Sequence, residues 1–255
     1  MRIKKVALGF VIPIIILLLW HITTTFTDVP TTILPKIKSV ITTATDMTRT
    51  GQLPVDLGIS IGRVVKGFLV SAIIGIVLGA AMGMSETAKA LLLPAITTVR
   101  QIPMIAWIPL IILWAGIGET SKVIIIVIAA VFPILVNTMS GITGTPTGYV
   151  EVARLYKLGR WQTFTKVFLP HALPQMLVGL KLGLGVSWMA VVASELIAAT
   201  SGIGYRMNEA RSLMRSDKVI VCMIVIGIIG ILMDKVISVV FEKITPWIQI
   251  NEKRA

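Results

Sequence analysis

The chain has 255 residues, 55% of them hydrophobic and only 14% charged, with a mean hydropathy of +0.90. Soluble domains carry about 25% charged residues, so this deficit, together with apolar runs beyond the roughly 18–20 residues that cross a bilayer, excludes an ordinary soluble domain. The net charge of +12 does not make the chain a nucleic-acid binder, because no soluble segment is long enough to carry a basic face; it fits Lys and Arg placed in loops to set topology.

The apolar runs predict an all-α integral membrane protein with six transmembrane helices, since the ten-residue alternating segments of a membrane β-barrel are missing. The opening "MRIKKVALGFVIPIIILLLW" has the basic start of a signal peptide. Its apolar run continues to about Phe26 with no small-x-small cleavage site after it, so it reads as a retained first span from about Ala7. A Thr-rich polar stretch with Pro30, Pro35 and Pro54 follows, in which "PKIKSVITTATDMTRTGQ" has the pattern of an amphipathic surface helix. Span two, about Leu57–Met84, carries Gly75, Gly79 and Gly83 at the small-xxx-small spacing that lets membrane helices approach closely.

Span three, "AKALLLPAITTVRQIPMIAWIPLIILWAGIG", holds Pro94, Pro103 and Pro109. Proline frees backbone carbonyls, and in lipid such breaks persist only where protein or a water-filled cavity satisfies them. A broken helix facing the protein interior is therefore expected. Span four, about Ser121–Ile142, span five, about Leu173–Ala199, and span six, about Val219–Phe241, complete the set, and Trp247 in the tail suits the membrane interface. Six spans put both termini on one side, and a slight excess of Lys and Arg there assigns that side to the cytoplasm. The basic segment between spans five and six dissents from this bias and reads as a re-entrant amphipathic piece. The single Cys222 lies in an apolar run, and no Cys/His cluster has metal-binding spacing.

Ionisable and polar groups inside spans are the candidates for a solute pathway. Arg100 with Gln101, beside Pro103, is placed either to meet an anion or to stabilise carbonyls exposed at the helix break. Ser187, Trp188 and Glu195 of span five are placed to line or gate the outer half of the path, Glu195 being paired with a cation such as an Arg of the next loop. Arg63 and Lys66 read as snorkelling to the headgroups, and Asp234 and Lys235 as pairing with each other or snorkelling; Lys181 is a weaker pathway candidate.

Between spans four and five lies a charged island, "GYVEVARLYKLGRWQTFTKVFLPHALP". Glu151, Arg154 and Lys157 fall on one helical face and Val152, Leu155, Tyr156 and Gly159 on another, with the acid early and the cations late, as the helix dipole favours. Gly159 is expected to stop this short helix, and Pro170 and Pro174 to restart the chain as span five. The pattern suits either a surface tether or a helix that fits a groove on a soluble partner.

The run from Glu151 resembles the EAA motif of binding-protein-dependent ABC import permeases, with Glu151, Ala153, Phe168, Leu169, Pro170, Ala172, Leu173 and Pro174 matching. The flanking "IPLIILWAGIGETSKVIIIVIAAVFPILVNT" and "GLKLGLGVSWMAVVASELIAATSGIGY" resemble the subgroup that imports alkanesulfonates, taurine and nitrate, and the resemblance covers the chain from about residue 57. One position departs: the family's usual glycine, six after the Glu, is Lys157, which implies a shifted turn or a longer first helix.

The resemblance implies a type I ABC importer permease fold. Its expected parts are an N-terminal helix and external segment (1–56), a transmembrane domain (57–245) with a cytoplasmic coupling helix at about 148–160, and a cytoplasmic tail (246–255). It implies that Glu151, Ala153, Arg154, Lys157, Gly159 and Arg160 contact a separate ATP-binding subunit. The expected assembly has two copies of this chain, two ATPase subunits carrying ATP and Mg, and an extracytoplasmic solute-binding protein, in a bacterial inner membrane. In agreement, the chain has no G-x-x-x-x-G-K-[ST] phosphate loop and no nucleophile–base pair, so it is read as a transport subunit without a cofactor of its own. Aliphatic sulfonates are the favoured solute, with taurine, nitrate or a vitamin precursor as alternatives; an ion-coupled transporter or channel is the alternative of another class.

Overall fold

The computed structural model describes residues 2–245, with side chains from Val11 onward. The expected tail, 246–255, and Trp247 lie outside the described residues. Every described element is helical: α1 (Arg2–Phe26), α2 (Ile37–Arg49), α3 (Gln52–Met84), α4 (Glu86–Gln101), α5 (Met104–Ala115), α6 (Glu119–Thr143), α7 (Thr147–Leu155), α8 (Arg160–Thr163), a π turn (Phe164–Phe168), α9 (Leu169–Ala198), α10 (Ile203–Ser212) and α11 (Ser216–Ile244).

Four helical runs are long and apolar enough to cross a membrane: α3, α6, α8 through α9, and α11. The bent pair α4–α5 makes a fifth if counted as one span. The sixth expected span falls on α1, whose described apolar stretch is Val11–Phe26. The amphipathic surface helix is α2, which buries Val40, Thr43 and Met47 at helical spacing and leaves its polar face out.

The core is a three-helix unit of α3, α6 and α9. Contacts advance together along α3 and α6, from Gly67 against Ile126 to Gly83 against Ile142, so these two helices run parallel. Gly141 meets Ala172 while Gly183 meets Ile134, so α9 runs antiparallel to α6. The expected glycine seam forms the α3–α6 contact. A Cβ on Gly75 would fall 2.8 Å from the Ile134 side chain, and one on Gly79 would fall 2.6 Å from the Leu135 carbonyl oxygen. Close backbone approach of this kind drives helix association where lipid removes the hydrophobic term. Across the next seam, Trp188 Nε1 of α9 donates to the Ile226 carbonyl of α11 at 3.0 Å.

Two expectations about breaks are corrected. The helix of span five does not start at Leu173; it is continuous from Arg160 to Ala198. Pro170 has no N–H to bond the Lys166 carbonyl and would crowd it, and the chain accommodates this with the π turn just before, where the Leu169 N–H reaches the Phe164 carbonyl. The break in span three is present, a 98° bend at Ile102 and Pro103. Only α5 faces inward from it, through Ile108 and Ile111; α4 has no buried residue. The single chain therefore leaves the α4 half of the break uncovered.

Candidate functional site

The two ends of the bundle carry different chemistry. At the end where α3 and α6 finish, α7 stands as a ledge. Among its residues only Ala153 is buried, while Leu155 is 80% exposed and Tyr149, Val152 and Tyr156 are exposed beside it. An exposed aliphatic and aromatic face on a short polar helix marks a contact surface rather than a folding core. Glu151 and Arg154 are exposed on the same helix and Lys157 just past its end.

Lys157 resolves the departure seen in the sequence. It adopts the left-handed conformation itself, with φ +51°. Its N–H bonds the Arg154 carbonyl at 2.9 Å and the Leu158 N–H bonds the Ala153 carbonyl at 3.0 Å, the bond pair that closes a helix on a left-handed residue. The turn has neither shifted nor lengthened; a lysine occupies the glycine conformation. Gly159, expected as the stop, instead has φ −66° and caps the start of α8, where Gln162 Oε1 accepts from its N–H at 3.2 Å. α7 is thus joined to α9 through the short link Tyr156–Gly159 and a continuous helix from Arg160.

In the middle of the bundle, the bend between α4 and α5 opens on a cavity of about 340 Å³ lined by Arg100, Pro103, Met104, Trp107, Phe132 and Val186 among others. Arg100 lines it and Gln101, next in the chain, is exposed. The other three pathway candidates lie elsewhere. Ser187 is buried and donates to the Gly183 carbonyl, Trp188 is buried against α11, and Glu195 is 1% exposed. In this conformation Trp188 and Glu195 tie α9 to its neighbours, Ser187 bonds within α9 itself, and none of the three lines the cavity.

Glu195 belongs to an ionic cluster at the end opposite α7. Its partner is Arg63, at 2.6 Å, and not an Arg of the following loop. Arg63 is only 3% exposed, so it does not snorkel to the headgroups. All five of its N–H donors are used. Nε and Nη2 form a fork on Glu119 at 2.8 and 2.5 Å, Nη1 donates to Glu195 and the Ser201 carbonyl, and Nη2 also reaches Ser201 Oγ at 2.9 Å. Glu195 accepts further bonds from Ser60 Oγ and the Gly204 N–H. A Cβ on Gly202, with φ +106°, would fall 2.3 Å from Glu195 Oε1, so only glycine lets the loop lie against this carboxylate.

The basic segment after α9 is a short helix, α10, packed on the same end. Its Arg206 bonds Asp56 at 2.8 Å and Glu209 at 2.5 Å. Burial disfavours the Arg206 cation, but these bonds outweigh it and hold its pKa above the ordinary arginine value. Asp56 and Glu119 were not singled out in the sequence, because both sit at span boundaries where a lone carboxylate is unremarkable. Lower in the bundle, Asp234 pairs with Lys181 of α9 at 3.2 Å, not with its neighbour Lys235. Lys66 is exposed on the surface of α3, as snorkelling requires. Among the described residues no group of His, Cys, Asp or Glu could hold a metal ion.

A bundle of four or five helices long and apolar enough to cross a membrane, with a ledge at one end and an arginine at the break in its middle, is the architecture of a multi-pass membrane protein. Residues 71–250 match the family described as binding-protein-dependent transport system inner membrane component, and the chain belongs to that family. Relatives include a putative ABC transporter permease of Methanocaldococcus jannaschii, 37% identical over 96% of this chain and 93% of that one. A putative aliphatic sulfonates transport permease of Bacillus subtilis is 34% identical over 94% of this chain and 87% of its own length. The taurine transport system permease of Escherichia coli is 36% identical over 75% and 70%. A solved amino acid ABC transporter shares the fold with a TM-score of 0.61 at 17% identity, over 74% of this chain and 92% of that chain. The chain is thus an import permease subunit whose ATPase is a separate subunit.

Proposed function

We propose that this chain is the permease of an ATP-driven importer for small organic anions, with aliphatic sulfonates favoured, working by alternating access in the bacterial inner membrane. Two copies pair with two ATP-binding subunits that carry ATP and Mg, and an extracytoplasmic protein delivers the solute. Both termini are cytoplasmic. Relatives are named for aliphatic sulfonates, taurine and nitrate, solutes that share a small oxyanionic group, which supports the solute class.

The observation that carries this reading is the α7 ledge. It exposes Tyr149, Val152, Leu155 and Tyr156 to a partner and is tied to α9 by a short link. A subunit that grips this face and closes moves α9 with it. In this assignment Glu151, Arg154 and Lys157 flank the apolar grip, Ala153 seats the ledge on the bundle, and Gly159 and Arg160 transmit its movement. Arg100 and Gln101 meet the anion at the bend, where a cation in a partly dry cavity is electrostatically strong. Trp188 and Glu195 serve the same path indirectly, by holding α9 against α11 and α3.

Anion uptake into proteoliposomes containing permease, ATPase and binding protein tests both parts. Leu155→Asp should abolish co-purification of the ATPase and ATP-driven uptake. Arg100→Gln should keep the ATPase bound but lower uptake by about tenfold or more, the scale of one lost charge-assisted contact. Uptake that survives Leu155→Asp removes the ledge from coupling; unchanged uptake in Arg100→Gln removes Arg100 from the path.

A further inference from the structure

Beside the ledge, two cavities meet at one arginine. The first, about 520 Å³, lies between the end of α3 and α7 and is lined by Ser85, Arg154, Leu158, Arg160 and Thr163 among others. The second, about 550 Å³, is an almost wholly apolar groove along the last turns of α3, lined by Ile76, Val77, Ala80, Ala81, Met84, Trp161 and Phe164. Arg160 and Met84 line both. Neither lining contains an Asp or Glu. Among the described residues, the Arg154 and Arg160 side chains form no ion pair.

We propose that this pair of cavities binds one anionic phospholipid, with an acyl chain in the apolar groove and the phosphate on Arg160 and Arg154. The groove follows the final turns of a membrane-spanning helix, which is acyl-chain depth. Trp161, 74% exposed at its mouth and in contact with Phe164 at 5.7 Å between ring centroids, is the residue type that marks the headgroup boundary. The two arginines line the adjoining first cavity, and the Ser85 hydroxyl, which accepts from the Ala88 N–H, keeps its own proton for a phosphate or glycerol oxygen. The groove between α3, α9 and α11 makes the contrast: its lining is apolar throughout and offers no cation to choose a headgroup. A lipid seated here would touch α3, α7 and α8 together, so it would brace the ledge against the bundle. Its two arginines also lie on the coupling surface assigned above, so lipid binding is measured on the chain without its ATPase.

Native mass spectrometry of the full-length chain, released from mixed phosphatidylglycerol and phosphatidylcholine micelles, tests it. Each surface cation contributes about fivefold to anionic lipid binding, so two arginines predict a preference of roughly 25-fold for phosphatidylglycerol. Arg160→Gln should reduce this to about fivefold, and Arg160→Lys should keep most of it. Val77→Trp, which fills the groove from an exposed position, should lower retention of either lipid without changing the preference. Glycerol phosphate should not displace the bound lipid, because the groove contributes to affinity. Equal retention of the two lipids by the unaltered chain, an unchanged preference in Arg160→Gln, or displacement by glycerol phosphate would each overturn the proposal. Thermal melting of each variant in detergent separates a lost site from a lost fold.

Discussion

At the scale of single residues, two side chains bear unusual conformational or electrostatic loads. Lys157 sits at φ +51°, where a Cβ crowds the following carbonyl at a cost of about 1–2 kcal/mol. Lys157→Gly should keep the turn and change stability by no more than about 1 kcal/mol, since relief of strain is partly offset by the entropy of the freer unfolded chain. Lys157→Val should cost about 2 kcal/mol, because a β-branched residue tolerates this region worst. Melting in detergent checks the order Gly ≥ Lys > Val; a Val variant as stable as the Lys form would mean that the turn has another conformation in solution. Arg63 is the second case, a buried cation with every donor satisfied. Arg63→Met should cost about 3–5 kcal/mol by stranding Glu195, and Arg63→Met with Glu195→Met should recover more than half of that. A double variant no better than the single one would mean that the loss lies in packing and not in the stranded charge.

At the scale of elements, the α3–α6 seam gives a contrast inside one helix. Gly79 faces the Leu135 carbonyl, whereas Gly58 has open space where its Cβ would lie. Gly79→Leu should therefore cost about 3 kcal/mol or more, and Gly58→Leu should be neutral or slightly stabilising because leucine is the better helix former. Equal melting of the two variants would remove the seam as the basis of α3–α6 packing. This seam was legible in the sequence because it needs only glycines at fixed local spacing. The bend at Ile102–Pro103 was legible for the same reason, as proline acts on its own backbone. The run from Arg160 through Pro170 to Ala198 was not, because Pro170 has the same local signature whether it ends a helix or is absorbed by a π turn. The pairing of Arg63 with Glu195 was also hidden: 132 residues separate them, and nothing local in "SIGRVVKG" says which span will supply the carboxylate. Lys157 shows the other limit. Its departure from the glycine is visible in the sequence, but the residues alone fit a shifted turn or a longer helix as well as the strain borne in place that the turn adopts.

At the scale of the molecule, one chain is a rigid unit with unfinished surfaces. Ionic clamps tie α3, α6, α9 and α10 at one end, and the glycine seams lock α3, α6 and α9 along their length. The seams leave no room for solute inside this three-helix core, so a path must form beside it. The bend at α4–α5, with Arg100 and Gln101 exposed and α4 unburied, is where a second surface is missing. Exposed polar groups at membrane depth are costly unless protein or water covers them, which favours assembly of two chains across this face. A lone chain in liposomes should then carry no anion flux above empty vesicles, with or without an ion gradient. Adding the ATPase alone should give little transport, and adding the binding protein as well should give uptake that stops when ATP is withheld. Deleting Val150–Leu158 removes the ledge but leaves each span intact, so the chain should insert and pair yet fail to respond to ATP. Flux from the lone chain would make it a channel or gradient-driven carrier and sink the importer reading. ATP-driven uptake by the deletion variant would leave the importer standing but place its coupling surface elsewhere.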